Sequence, residues 1–244
     1  MRLLVSVRSA AEAVAALAGG ADIVDAKEPR RGSLGPVDGL TLGEIVAVLP
    51  PATPLSVALG ECDGEDQVAA AVIGLPDLTG RRAPIYLKLA LRVASAELAE
   101  RLLRTALAAA LTRPDRPTIV AAAYADHEDA HTPPLDVVTD AAARAGVAGI
   151  LVDTHAKEGR DLLYWMSPGR LGQWVGAARS AGLLTAVAGS LRGEALAVAA
   201  DSGADVVGVR GAVCLGGRGG ILTGELVRTV RRAVVSRRSR QAAG

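Results

Sequence analysis

Short runs rich in valine, isoleucine and leucine alternate along the chain with longer segments whose apolar residues recur every three or four positions. The short runs fall near residues 3–7, 22–27, 55–59, 85–89, 118–123, 149–153, 184–188 and 205–209 and predict eight strands. Among the longer segments, ASAELAERLLRTALAAALT carries leucines three or four apart with charges on the other face, the pattern of an amphipathic helix. Strands separated by helices pair in parallel, because a parallel neighbour is reached only through a crossover. Eight such units close into a single (β/α)8 TIM barrel, predicted here over residues 1–232; a doubly wound open sheet is the alternative, since a strand count does not establish closure. The stretches GGADIVDAK (19–27) and SGADVVGVR (202–210) each place a glycine at a helix end before a buried strand, the joint a barrel repeats. No linker divides the chain, and only residues 233–244 read as a basic tail.

A length of 244 residues suits one such barrel. Half the residues are apolar, but phenylalanine is absent and alanine is abundant, which favours close-packed helices over an aromatic-rich sandwich. The formal charge of +1 supplies no field toward nucleic acid or an anionic membrane. The arginines of the tail lack the interleaved aromatics of a nucleic-acid surface and read as a solvated helix end. Cys62 and Cys214 stand far apart without a CxxC, which argues against a zinc or redox motif. MRLLVSVRSA has too few apolar residues between its arginines for a signal peptide, and no apolar run is long enough to span a bilayer. A cytoplasmic protein acting on a small molecule, with no membrane or nucleic-acid partner, is expected; homo-oligomerisation is left open.

Positive charge is distributed unevenly by type: three lysines, Lys27, Lys88 and Lys157, stand against twenty-four arginines. In IVDAK, alternation along a strand puts Asp25 and Lys27 on one face. Lys88 in IYLKLA lies near the end of its strand, Asp153 ends GILVD, and Lys157 follows four residues later. All three lysines and both carboxylates are thus predicted on one rim, the carboxyl end of the barrel where active sites of this fold sit. Lysine in place of arginine has a chemical meaning there. A guanidinium keeps its proton, whereas a crowded or desolvated amine loses it and can form a Schiff base with an aldehyde. A buried Asp25–Lys27 pair that merely closes the barrel is the structural alternative.

The loops after the seventh and eighth strands read AVAGSLRGEAL and VGVRGAVCLGGRGG, and such loops bind phosphate through backbone N–H groups. Gly189, Ser190, Arg210 and Gly211 are the phosphate candidates, with Gly216, Gly217 and Arg218 behind them; glycine-rich turns also occur simply where a chain reverses. HEDAH at 127–131 matches a zinc-binding H-E-x-x-H but meets Pro133 and Pro134 at once, so a solvated loop and no metal is the reading. His155, between Asp153 and Lys157, is either a substrate neighbour or a polar rim residue.

The stretches GGADIVDAKEPRRGSLG, YLKLAL, AAAYAD, LVDTHAKEGRDLL, AVAGSL and GADVVGVRGAVC resemble the (5-formylfuran-3-yl)methyl phosphate synthase family of methanofuran biosynthesis, over nearly the whole chain from Leu3 to about Arg231. The resemblance implies a TIM barrel that condenses two glyceraldehyde 3-phosphate molecules into a furan aldehyde phosphate with loss of phosphate and water, without a cofactor. It implies that Lys27 forms the Schiff base and Lys88 accepts a proton, and that Asp25, Asp153 and Lys157 fill the remaining charged positions. Glu28, the HEDAH segment and the basic tail depart from the family pattern. Read from the residues alone, another Schiff-base aldolase, a sugar-phosphate isomerase on the same barrel, or a non-catalytic phosphate-ligand binder stays open.

Overall fold

The computed structural model describes residues 1–157 and 159–241, with side chains to Val235. Strands β1 (Arg2–Val7), β2 (Ile23–Ala26), β3 (Leu55–Cys62), β4 (Ile85–Leu91), β5 (Thr118–Tyr124), β6 (Gly149–Asp153), β7 (Leu184–Val187) and β8 (Val206–Val209) pair in chain order, all parallel. The last returns to the first, with Arg2 opposite Val206 and Val5 opposite Val209. The sheet is therefore a closed barrel rather than an open doubly wound sheet.

Helices α1 (Ala10–Ala18), α2 (Gly39–Val48), α3 (Glu65–Ile73), α4 (Ala96–Thr112), α6 (Leu135–Ala145), α8 (Pro168–Ser180), α9 (Gly193–Asp201) and α10 (Gly224–Gln241) supply the crossovers and the final cover. Single turns α5 (His127–Ala130) and α7 (Leu162–Trp165) sit in the loops before α6 and α8, and a small hairpin, β9 (Cys214–Leu215) and β10 (Ile221–Leu222), precedes α10. Starts are set by side-chain caps: Ser9, Asp38, Ser95 and Ser167 accept the N–H groups of Glu12, Thr41, Leu98 and Arg170. Pro168 then occupies the first turn of α8, where its missing N–H costs nothing. The tail expected from residue 233 begins inside α10, and its residues 242–244 lie outside the described residues. Among the described residues no helix is long and apolar enough to cross a membrane.

Alternation along each strand divides the core in two. Outward positions such as Val5, Val24, Val57, Leu87, Ile150 and Val207 pack under the helices in one large cluster. Inward positions such as Leu4, Ile23, Val120, Leu151 and Val206 form a second, smaller one inside the barrel. Many of the other inward positions are alanine or serine. Strand β3 runs on to Cys62, beyond its sequence prediction, through an irregularity between Ala58 and Glu61. Gly60 allows it with a φ of 95°, and the irregularity re-aims Glu61 at the barrel rim.

Closure of the ring of helices depends on one close approach. A Cβ on Gly19, the residue after α1, would lie 2.4 Å from Val227 Cβ and 2.6 Å from the Gly224 carbonyl, both in α10. Gly19 has an ordinary helical φ, so it is required for space, not for backbone freedom. Arg231 of the same helix pairs with Asp22, just before β2. Gly19→Ala is expected to lower the unfolding free energy by about 1–3 kcal/mol through overpacking. Urea midpoints measure it, and an unchanged midpoint would show that α10 can shift without cost.

Candidate active site

The parallel register sets Ser6 beside Asp25 and Ala58 beside Lys88, so the inward residues at the carboxyl ends of β1, β2 and β4 face one another. Lys27 continues β2 by one residue: its N–H donates to the Val7 carbonyl at 2.9 Å and keeps the side chain on the inward face. A cavity of about 310 Å³ opens there, lined by Asp25, Lys27, Lys88, Asp153 and Lys157. All five predicted charged residues are brought together.

Their pairing is unequal. Asp25 is fully buried, sets Oδ1 2.7 Å from Lys88 Nζ and accepts the Ser6 hydroxyl at 2.8 Å. Asp153 takes Lys157 Nζ at 2.5 Å on Oδ1, while Lys27 Nζ stands 3.8 Å from Oδ2. The Ser33 hydroxyl, in the loop after β2, donates to Asp153 Oδ2 at 3.3 Å or to the Thr154 carbonyl at 2.9 Å. The loop that carries Lys157 is held from below. Asp126 accepts the N–H groups of His155 and Ala156 at 2.7 and 2.8 Å, and Lys157 also reaches the Thr154 hydroxyl at 3.3 Å.

Electrostatics follow from this geometry. Burial strips water from the Lys27 ammonium and lowers its pKa to about 7; Asp153 opposes the shift, while Lys88 and Lys157 add to it. Burial also lowers Lys157, against the pull of Asp153. The carboxylates behave oppositely. Burial alone would raise Asp153, but Lys157 and Lys27 beside it hold it far below the ordinary range. Asp25 is likewise lowered: burial raises it, and Lys88, Lys27 and the Ser6 hydrogen bond outweigh that.

On the opposite side of the mouth the chain turns after β7 through Gly189 (φ 111°) and Ser190 (φ 53°), both left-handed. Arg192 then caps α9 without a side-chain hydrogen bond, so the first N–H groups of that helix lack a side-chain acceptor beside the cavity that Arg192 lines. Gly189, Ser190, Arg210 and Gly211 all line it, as do Arg192 and Arg218. The Arg210 guanidinium, however, is already engaged. It grips Glu12 of α1 at 2.5 and 3.1 Å, the Ser6 carbonyl at 2.9 Å and the Arg218 carbonyl at 3.0 Å. Arg192 is the cation that lies across the glycines: a Cβ on Gly211 would come within 2.6 Å of its Nη2. Gly216 and Gly217 sit in the turn of the β9–β10 hairpin and do not line the cavity.

His155 turns away toward Glu61, 3.6 Å off, and lies edge-on to Tyr124, whose hydroxyl donates to Glu61 at 2.8 Å. The HEDAH segment forms one turn of helix that His131 ends in a left-handed conformation, rather than an open loop. Among the described residues no group of His, Cys, Asp or Glu could hold a metal ion. Ser6, Ser33, Ser56, Thr154 and Arg192 were absent from the sequence candidates. Ser6 and Ser56 carried a readable signal, as polar residues at inward positions of apolar strands; Ser33 carried none.

Fold and site together define a (β/α)8-barrel enzyme with a buried lysine and carboxylate cluster beside an anion-ready loop. Residues 3–231 match the family model for 4-HFC-P synthase, and the chain belongs to that family. It is 36% identical to the (5-formylfuran-3-yl)methyl phosphate synthase of Methanopyrus kandleri, over 96% of this chain and 98% of that one. It is 33% identical to the protein of that name from Methanosarcina mazei, over 93% and 96%. Among solved structures it is similar in fold to 3-hexulose-6-phosphate synthase from Salmonella typhimurium, with a TM-score of 0.63, 16% identity and coverage of 97% and 99%. Phosphoribosyl anthranilate isomerase from Thermus thermophilus gives 0.59, 14%, 97% and 99%.

The depressed Lys27 pKa has a consequence for stability. Below about pH 7 the amine is charged in folded and unfolded chains alike, and folding carries the full cost of burying it. Between there and its ordinary value of 10.5 the unfolded chain binds the extra proton, so stability rises with pH. Relative to Lys27→Met, the wild type is expected to gain about 1–2 kcal/mol from pH 7 to pH 9. Paired urea titrations test this; a pH-independent difference would mean that Lys27 stays charged.

Proposed function

We propose that this protein condenses two molecules of glyceraldehyde 3-phosphate into (5-formylfuran-3-yl)methyl phosphate, through a Schiff base on Lys27, for the assembly of a methanofuran-type cofactor. One observation carries the assignment of the nucleophile. Of the three lysines at the cavity, Lys88 and Lys157 each lie within 2.7 Å of a carboxylate oxygen, while the Lys27 ion pair with Asp153 is 3.8 Å long. Its amine is the one that burial can strip of a proton near neutral pH. Membership of the synthase family supports the same reading.

In this mechanism the neutral Lys27 amine attacks the aldehyde carbon, and loss of water gives an iminium that acidifies the neighbouring carbon. Within the Lys88–Asp25 pair, 2.7 Å apart, Lys88 passes its own proton to the Asp25 carboxylate and its freed amine takes up the one released there. The resulting enamine supplies the carbon nucleophile for joining the second triose. Elimination of one phosphate and, by atom balance, two waters then makes the aromatic ring, with no net oxidation or reduction. Lys157 keeps Asp153 ionised beside the iminium, where it balances the new positive charge. The retained phosphate binds at the open N–H groups after β7 and at Arg192.

Borohydride added with glyceraldehyde 3-phosphate is expected to leave a triose-derived mass on the Lys27 peptide, and trapping should rise with pH through about 7 as the amine loses its proton. Lys27→Arg keeps the charge but not the nucleophile, so it should fold, trap nothing and make no furan chromophore, a loss of at least about a thousandfold. Trapping on Lys88 instead would reassign the nucleophile.

A further inference from the structure

The cavity does not end at the lysines. It continues down the barrel axis past Asp25 to Leu4, Ile23, Val120, Leu151, Ala186 and Val206, and reaches the amino-terminal end of the sheet. Barrels of this class are ordinarily filled there by layers of branched side chains. Here the small inward residues Ser56 and Ala186 line the open axis. At that end Arg2 Nη1 donates to the Tyr86 hydroxyl at 3.2 Å, and its guanidinium carbon lies 5.8 Å from the centre of the Tyr86 ring. The chamber is thus a mostly apolar extension of the catalytic mouth.

A hydroxyl in its wall lacks a partner. Ser56 is 1% exposed, lines the chamber on β3 next to Asp25, and its side-chain oxygen makes no hydrogen bond. An unmet buried hydroxyl is costly and marks a place where a bound group completes the pairing. Apolar walls disfavour a phosphate or a polyol, and a lone donor asks for a single acceptor atom.

We infer that this chamber is a subsite for a small, uncharged, planar ring carrying one hydrogen-bond acceptor: the furan portion of the bound intermediate and product, with the Ser56 hydroxyl donating to an oxygen on it. The inference rests on the proposed reaction for the identity of the ring, while the chamber and its open hydroxyl stand apart from it. Sugar-phosphate carbons remain at the wet mouth, and the ring moves below the lysines as water is lost. Apolar walls then favour the dehydrated species over the hydroxylated ones that precede it.

Furan-3-methanol, a neutral ring without phosphate or aldehyde, probes the chamber alone. Ligand-observed NMR is expected to show saturable binding to the wild-type protein, loss of it in Ala186→Leu, which fills the chamber, and affinity lower by about three- to tenfold in Ser56→Ala. Folded Ala186→Leu should still trap triose on Lys27 under borohydride yet form furan at least about tenfold more slowly. No saturable ring binding by the wild type, or furan formation at the wild-type rate in Ala186→Leu, overturns the subsite. If Ala186→Leu does not fold, Ser56→Ala decides, and unchanged affinity there overturns it equally. Ring binding with the expected losses but no triose trapped on wild-type Lys27 would uphold the subsite and sink the Schiff-base mechanism instead.

Discussion

Three ammonium groups and two carboxylates share one buried mouth, and the structure of the site follows from that imbalance. A charge removed from water must find a partner or lose its proton. Asp25 satisfies Lys88, and Asp153 satisfies Lys157. Lys27 receives what remains, a longer contact to an oxygen that also faces the Ser33 hydroxyl. Removing one proton from the set leaves two cations against two anions. Lys27 has the longest ionic contact of the three, and burial lowers its pKa to about 7. Scarcity of carboxylates, together with burial, is what disfavours the charge on its amine.

Arginine could not play this part, which is why residue type along the chain was informative. Alternation in IVDAK and IYLKLA put Asp25, Lys27 and Lys88 on inward faces, and the four-residue spacing put Lys157 back over Asp153. These are local relations, within one strand or one loop. Arg210 obeys the same alternation at the end of β8, and nothing near it in the chain shows that its guanidinium is taken. Its partner Glu12 lies 198 positions away and becomes a neighbour only when β8 closes on β1. Arg192 presents the converse case: a residue that reads as an ordinary helix entrance lies against Gly211 and Gly217 from another loop. Ser33 is invisible for a similar reason, since its partners Asp153 and Thr154 come from a strand on another part of the ring.

The Arg210 and Glu12 pair also has a structural purpose that links closure to chemistry. Arg210 holds the Ser6 carbonyl, and the Ser6 hydroxyl holds Asp25. The joint between the last and first strands is therefore connected, through two hydrogen bonds and one residue, to the carboxylate that faces Lys88. Arg8 adds to the same joint by donating its backbone N–H and its side chain to Glu12. A barrel that closed in another register would separate these groups. Correct pairing of β8 with β1 and assembly of the Lys88–Asp25 pair are one event.

The hollow interior then completes the argument about Lys27. An amine in a cleft full of water keeps its proton whatever the neighbouring charges, because solvation pays for it. Below Lys27 and Asp25 the barrel offers Ile23, Val120, Leu151 and Ala186 where solvent would otherwise stand. A small inward Ala186 and a chain without phenylalanine leave space, and the space has apolar walls above the Arg2–Tyr86 hydrogen bond. Low polarity beneath the cluster raises the cost of each unpaired charge, so the void that sacrifices packing density also sharpens the competition for the two carboxylates. Filling the barrel with branched side chains would restore packing contacts and keep the amine dry, yet leave no room beside it for a carbon skeleton. Emptiness at that level reconciles a desolvated amine with open space beside it.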